Sequence, residues 1–257
     1  MRIDSQHHGA TCCDRLGCSD PRPLNPIERP GLRLRHHQSW LQSCGIDTIA
    51  LQRRLVQHLP WEQPELTVYG RRHRTPRLTC WVADPGCTYR YSGLNQMITA
   101  WTPELSALRA LLLQQLGLEC NSLLLNRYRT GADRMGWHAD DEPELEASAP
   151  IISLSLGISR PLRFRPRPGD PLTRGISPVA VELADGDLLL MDPPSQRHWQ
   201  HGLPARLRLL GERINLTFRL IQPSTAMQSI STRAPLGSAA TSTQARAGGT
   251  APPNTSA

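Results

Sequence analysis

A chain of 257 residues with 39% hydrophobic content is long enough for one large domain with ragged ends, and no apolar run approaches the roughly 18 residues of a membrane span. The net charge of +7 rests on arginine without a single lysine, which favours an anionic partner, with nucleic acid the leading candidate. The seven cysteines form no CxxC pair, which argues against structural zinc and for reduced thiols in a cytoplasmic protein, and the first thirty residues hold no apolar core of a secretory signal.

Residues 1–35 mix Pro, Arg, Cys and His without periodicity and are expected to form a flexible leader. Helical spacing of Ile49, Leu51, Leu55, Val56 and Leu59 predicts a helix over 46–59, ended by Pro60. A second helix is predicted over 102–116, with Thr102 as its cap, Pro103 in its first turn and a stripe of Leu105, Leu108, Leu112 and Leu116. After Gly117 the pattern changes to short apolar runs broken by Gly, Pro and Asp: 122–128, 151–156, 162–165, 179–183, 187–191, 198–201 and 213–221. Ala184-Asp185-Gly186-Asp187 reads as a hairpin turn between two of them. Helices first and brief strands afterwards predict an α+β fold, a helix-buttressed sandwich or jelly roll. From Pro223 the composition turns to Ser, Thr, Ala, Gly and Pro, too little apolar surface to offset ordering entropy, so 223–257 is expected to be a disordered tail. The folded body is then 36–222, with helices in 36–120 and strands in 121–222.

Within that body the chemistry-bearing residues recur at even spacings. His138 and Asp140 are two apart, so on a strand both project from one face and can meet one ion. A second imidazole must come from farther along. His198 and His201 are both available, and, being three apart, they face opposite ways on a regular strand. Two imidazoles and one carboxylate hold ferrous iron on one face and leave positions open for oxygen chemistry. Arg213 and Arg219, six apart, share a strand face with Thr217. Inward arginines demand an anion, either a structural carboxylate or a dicarboxylate ligand. Asn126 and Tyr128 form another same-face polar pair that could bond a carboxylate or keto oxygen.

The ordered series Asn126-Arg127-Tyr128, His138-Ala139-Asp140-Asp141-Glu142, Trp199-Gln200-His201 and Arg213-Ile214-Asn215-Leu216-Thr217-Phe218-Arg219 resembles the AlkB family of iron(II)- and 2-oxoglutarate-dependent dioxygenases, in particular its DNA-repair branch. The resemblance covers residues 66–221. It implies a double-stranded β-helix, a jelly-roll variant, with N-terminal helices and a nucleotide-recognition lid. It also implies that His138, Asp140 and His201 ligate Fe(II), which leaves His198 to a surface or supporting contact. Arg213 and Arg219 would hold 2-oxoglutarate, assisted by Asn126, Tyr128 and Thr217, with dioxygen as the other co-substrate.

On the substrate side, Val68-Tyr69-Gly70-Arg71-Arg72-His73-Arg74 sets an aromatic ring beside a basic cluster, and Tyr89 and Tyr91 flank an arginine. Arginines for phosphates and rings for bases are ingredients of nucleic-acid binding. By the resemblance, Tyr69, Gly70 and Arg71 belong to a hairpin that wedges into the duplex, Tyr89 and Tyr91 to the lid over the base, and Asp141 to the contact with a methylated base. The loop from Pro166 to Pro171 is expected to tune lesion choice, and Trp137 and Trp199 to pack beside metal ligands. The implied reaction is oxidative demethylation of N-alkylated bases such as 1-methyladenine and 3-methylcytosine in single- or double-stranded DNA, with RNA, protein or lipid as alternative substrates. A monomer without membrane contact, cytoplasmic and nucleoid-associated if prokaryotic, is expected.

Overall fold

Two antiparallel sheets and a layer of helices divide the alternating side chains of the strands between two separate cores. The computed structural model describes residues 25–68, 71–87, 90–91, 94–95 and 98–222, with backbone alone at 66–68, 71, 90–91 and 94–95. In chain order, β1 (Asn25–Arg29) and β2 (Leu32–His37) precede α1 (Trp40–Ser43) and α2 (Thr48–His58). Next come β3 (Glu65–Val68), β4 (Arg71–Arg74), β5 (Leu78–Ala83), β6 (Arg90–Tyr91), β7 (Leu94–Asn95) and α3 (Pro103–Leu116). The remainder is β8 (Ser122–Tyr128), β9 (Met135–His138), β10 (Ile151–Gly157), β11 (Arg160–Pro166), β12 (Val179–Leu183), β13 (Leu188–Asp192), α4 (Ser195–His198), β14 (Trp199–Leu203) and β15 (Arg213–Arg219).

The larger sheet runs β1-β2-β13-β10-β15-β8-β5 and the smaller β12-β11-β14-β9. From β8 to β15 the chain passes back and forth between them, with only β11 and β12 consecutive in one sheet. That alternation is the jelly roll. On β15, Ile214, Leu216 and Phe218 point to the helices, where they meet Leu51, Leu55, Leu105, Leu108 and Leu112. Leu124 of β8, Leu189 and Met191 of β13, and Leu34 of β2 point the other way, toward Phe164, Val181 and Trp199 of the smaller sheet. A strand covered on both faces needs apolar residues in succession, which is why Leu123-Leu124-Leu125 and Leu188–Met191 are unbroken. Each such buried leucine contributes about 1.5–3 kcal/mol. Between the sheets, Arg213, Asn215, Thr217 and Arg219 take the alternate positions of β15, a polar stripe inside the roll.

Both long helices follow their sequence signals. Asp47 caps α2 by accepting from the Ala50 amide at 2.9 Å. Thr102 accepts from the Leu105 amide at 3.4 Å at the start of α3, which ends on Gly117 in the left-handed region, φ 66°.

Two expectations require correction. Residues 25–35, assigned above to a flexible leader, form β1 and most of β2. Leu32 and Leu34 are fully buried there, and Arg35 pairs with Asp192 through bonds of 2.6 and 2.7 Å. The rest of the leader and the tail from 223 lie outside the described residues. Ala184–Asp187 is not a hairpin turn: β12 belongs to the smaller sheet and β13 to the larger, so this segment is a corner between sheets. Asp187 holds the corner, its carboxylate accepting from the Ala184 amide (2.9 Å) and the Ser39 amide (2.8 Å) and lying 2.9 Å from His36 Nε2. Burial raises the Asp187 carboxyl pKa, but the bonds from His36, Ser39 and Ala184 outweigh burial and hold it below its ordinary value. Its stabilisation is therefore complete above the usual aspartate pKa of about 4 and is lost as pH falls through the lower folded value. Asp187→Ala is expected to destabilise the protein by about 3 kcal/mol, because buried donors lose their acceptor; urea unfolding at pH 7 would show it, and a loss below about 1 kcal/mol would refute the assigned role.

Candidate metal centre and co-substrate slot

β9 and β14 are antiparallel neighbours, and their register sets His138 directly opposite His201. The two rings lie 4.2 Å apart, centroid to centroid. Asp140 follows β9 in the loop rather than on the strand, where its amide donates to Gln196 Oε1 at 3.0 Å. One ligand atom from each of His138, Asp140 and His201 falls within 4.8 Å of the others, the grouping that the two-residue spacing and a distant histidine required. His198 is excluded from it. It closes α4 and pairs through Nδ1 with Asp170 at 2.7 Å, in the loop after β11.

The electrostatics of this cluster suit a cation. Burial raises the Asp140 carboxyl pKa, but the charges of Arg219, His201 and His138 hold it well below the usual carboxylate range. Its Oδ1 accepts from Arg219 Nη2 at 2.6 Å, while its buried Oδ2 accepts no hydrogen bond and lies 3.6 Å from His201 Nε2. Burial, reinforced by the charge of His138, pushes the His201 imidazole down to about 3, so the ring is neutral and its lone pair free to bind a metal. His138 Nδ1 lies 3.0 Å from the Gly136 carbonyl, which fixes that nitrogen as donor and leaves Nε2 for an ion. A bare carboxylate oxygen and two imidazole nitrogens are a donor set for ferrous iron.

The candidate co-substrate slot beside it is the polar stripe of β15 and its neighbours. Arg213 is 2% exposed; only its Nη2 is bonded, to Ser155 Oγ at 3.0 Å, while Nε and Nη1 are buried without partners. Burial brings its pKa down to about 10, so it remains charged at neutral pH. A buried guanidinium with two unused donors and, among the described residues, no carboxylate bonded to it fits an anionic ligand. Tyr128 pairs across the strands with Arg213, and Asn126 with Asn215. The Tyr128 hydroxyl donates to Met135 Sδ at 3.4 Å, the Asn126 oxygen accepts from Arg77 Nε at 2.6 Å, and Thr217 donates to Asn215 Oδ1 at 3.0 Å. Asn126 and Tyr128 thus share one face of β8, and Arg213, Thr217 and Arg219 one face of β15, as their spacing predicted, and the pairing of the two strands sets these faces side by side.

Asp141 stands outside this interior, paired at 2.5 Å with Arg167, whose Nε and Nη2 also donate to the Gln196 carbonyl. The loop after β11 therefore reaches the acidic turn through Arg167. Trp199 packs as expected, but Trp137 is 39% exposed, lying under Arg165 at 4.5 Å. Tyr69, Gly70 and Tyr89 lie outside the described residues, as do the side chains of Arg71 and Tyr91. The backbone shows Val68 paired with Arg71 and Tyr91 with Leu94, each in an antiparallel pair of strands.

The sequence reading missed Ser155, Asn215, Arg77 and Gln196. Ser155 and Asn215 had a signal, since each sits on an inward position of β10 or β15. Arg77 and Gln196 had none, because only tertiary contact gives them a role.

The sequence also matches the model of the 2OG-Fe(II) oxygenase superfamily over residues 34–219. It is 39% identical over 171 residues to the mouse DNA oxidative demethylase ALKBH2, covering 66% of this chain and 72% of that protein. For the human DNA oxidative demethylase ALKBH2 the identity is 38% over 168 residues, 65% of this chain and 64% of that one. The human alpha-ketoglutarate-dependent dioxygenase alkB homolog 3 is 35% identical over 174 residues, 66% of this chain and 60% of that one. The chain thus spans less than two thirds of the two human relatives.

The chain belongs to the AlkB family of iron(II)- and 2-oxoglutarate-dependent dioxygenases. Membership makes iron(II), 2-oxoglutarate and dioxygen the reactants that the cluster and the slot must accommodate. In this AlkB-family chain the cross-strand pairing of β9 and β14 builds the metal side and the stripe of β15 the co-substrate side. Arg219 joins the two, one guanidinium serving the ligand carboxylate and bordering the slot.

Proposed function

We propose that the chain repairs DNA by oxidative demethylation of N-alkylated bases, 1-methyladenine and 3-methylcytosine being representative. The observation that carries the reading is the junction of a His-Asp-His cluster with a buried, unpaired arginine in a chain 39% identical to a DNA oxidative demethylase. A net charge of +7 and the basic strand β4 favour a phosphate backbone as partner.

In this reading His138, Asp140 and His201 hold iron(II), which supplies the oxidising chemistry when bound. Arg213 grips one carboxylate of 2-oxoglutarate, with Tyr128 and Asn126 beside it and Thr217 on the same face. Arg219 holds the Asp140 carboxylate in its ligating orientation and adds positive charge for the co-substrate's other end. One atom of dioxygen ends in succinate, formed with loss of carbon dioxide. The other ends in formaldehyde, and the base nitrogen recovers its ordinary valence.

The substrate side rests on the same resemblance. Tyr69, with Gly70 and Arg71 beside it, fills the gap left by a flipped base in this reading, while Tyr89 and Tyr91 belong to the lid over it. Asp141 attracts the cationic methylated base, which pairs poorly and so flips at reduced cost. A cavity of ≈ 460 Å³ adjoins Asp140, with Asp141, Glu146, Met191 and Arg167 among its walls.

Iron-loaded protein incubated with an oligonucleotide carrying 1-methyladenine should release formaldehyde only when 2-oxoglutarate is present, and failure on DNA would overturn the reading. Parallel single-stranded DNA, duplex DNA and RNA arms rank the substrates. Tyr69→Ala should lower duplex turnover about tenfold while sparing single strands, as expected of a side chain that stabilises an opened duplex.

A further inference from the structure

Arg160, the first residue of β11, is fully buried. Its Nη2 donates to the carbonyls of Asp133 (2.9 Å) and Pro204 (2.7 Å), and Nη1 to that of Thr130 (3.4 Å), while Nε makes no hydrogen bond. Its guanidinium carbon lies 5.5 Å from the centre of the Tyr128 ring, a cation–π distance. Tyr128 is in turn the cross-strand partner of Arg213. One buried ring therefore lies against one buried guanidinium and belongs to the cross-strand partner of the other, and among the described residues neither is bonded to a carboxylate. The nearby Asp133 is already engaged by Arg129 at 2.8 and 3.0 Å. Carbonyl dipoles offset part of the Arg160 charge, but two uncompensated cations in one wall are expensive unless an anion joins them.

We propose that Arg160 is a positioning residue that sets co-substrate specificity: it fixes Tyr128 against Arg213 and supplies a second positive charge behind the slot. That charge makes the site retain a 2-oxo acid with a far carboxylate and reject one that ends in a methyl group. The inference rests on the reading that the far carboxylate lies beside Arg213. Arg160 acts through Tyr128 and through the field, so its removal bears on co-substrate choice more than on turnover.

Calorimetric titration of anaerobic iron-loaded protein with 2-oxoglutarate and with 2-oxopentanoate, which has the same carbon chain without the far carboxylate, provides the test. Arg160→Met is expected to weaken 2-oxoglutarate about tenfold and 2-oxopentanoate less than about twofold, because only the dianion feels the lost charge at the far end. In turnover, KM for 2-oxoglutarate should rise by the same factor with kcat nearly unchanged. If Arg160→Met does not fold, Arg160→Gln carries the test: it keeps an N–H donor for the carbonyls but no charge, and should lose the preference for the dicarboxylate as the methionine variant would. Equal weakening of both acids, or of neither, in the folded variant would overturn the inference. Arg213→Met serves as the control: if it too preserves the preference, the placement of the far carboxylate fails, whereas an intact preference in the Arg160 variants alone defeats only the role of Arg160.

Discussion

Asparagine at position 140 is expected to leave less than about 1% of turnover and little bound iron, since a neutral amide neither balances the ion nor completes its donor set. The same substitution should destabilise the metal-free protein by about 3 kcal/mol, because removing one partner of a buried ion pair leaves the other uncompensated. Arg219 is that other partner, 2% exposed and bonded to Asp140 at 2.6 Å. Elemental analysis after anaerobic loading reads the first effect, and urea unfolding in a chelator reads the second. Stoichiometric iron in Asp140→Asn would refute the assignment of the ligand, and unchanged stability would refute the pairing with Arg219.

Arg213→Met should behave in the opposite way toward folding. Loss of the charged fork is expected to raise KM for 2-oxoglutarate about 100-fold, roughly 2.7 kcal/mol, the scale of a buried charge-assisted contact. Yet the ligand-free variant should be as stable as the parent or about 1 kcal/mol more so, because an apolar side chain replaces a buried charge. The pH dependence follows from the Arg213 pKa of about 10, against an ordinary 12.5. Between those values the unfolded chain holds a proton that the folded one has released, so this group's contribution to stability improves as pH rises through about 10. Co-substrate binding should move the other way, level across neutral pH and weaker above about 10 as the guanidinium loses its proton. An Arg213→Met protein that binds 2-oxoglutarate like the parent, or one that unfolds far more easily, would contradict this account.

These contrasts trace back to what a linear sequence can and cannot encode. The stripe of Arg213, Asn215, Thr217 and Arg219 is readable because a strand has period two and its opposite face, Ile214, Leu216 and Phe218, is apolar. The helices are readable because Asp47, Thr102 and Gly117 mark their ends. The choice between His198 and His201 was open on spacing alone; it took the family pattern, and then the pairing of β14 with β9, to settle it. The corner at Ala184–Asp187 was misjudged because turn chemistry reports a change of direction, not the sheet to which the next strand goes. β1 and β2 were hidden by brevity and by arginines on the outward positions of Leu32-Arg33-Leu34-Arg35. Arg160 carries no local signal at all: its partners lie 27, 30 and 44 residues away along the chain.

The histidine pair occupies the margin of the smaller sheet. β9 has four residues, pairs with β14 alone, and its register slips between His201 and Leu203. So few rungs hold a border loosely, and ligands drawn from both sides of it make a shared ion a clasp as well as a reagent. Starved of iron, the protein would keep its roll and loosen along this hem, where amide exchange and proteases would register the shortage before any loss of global fold.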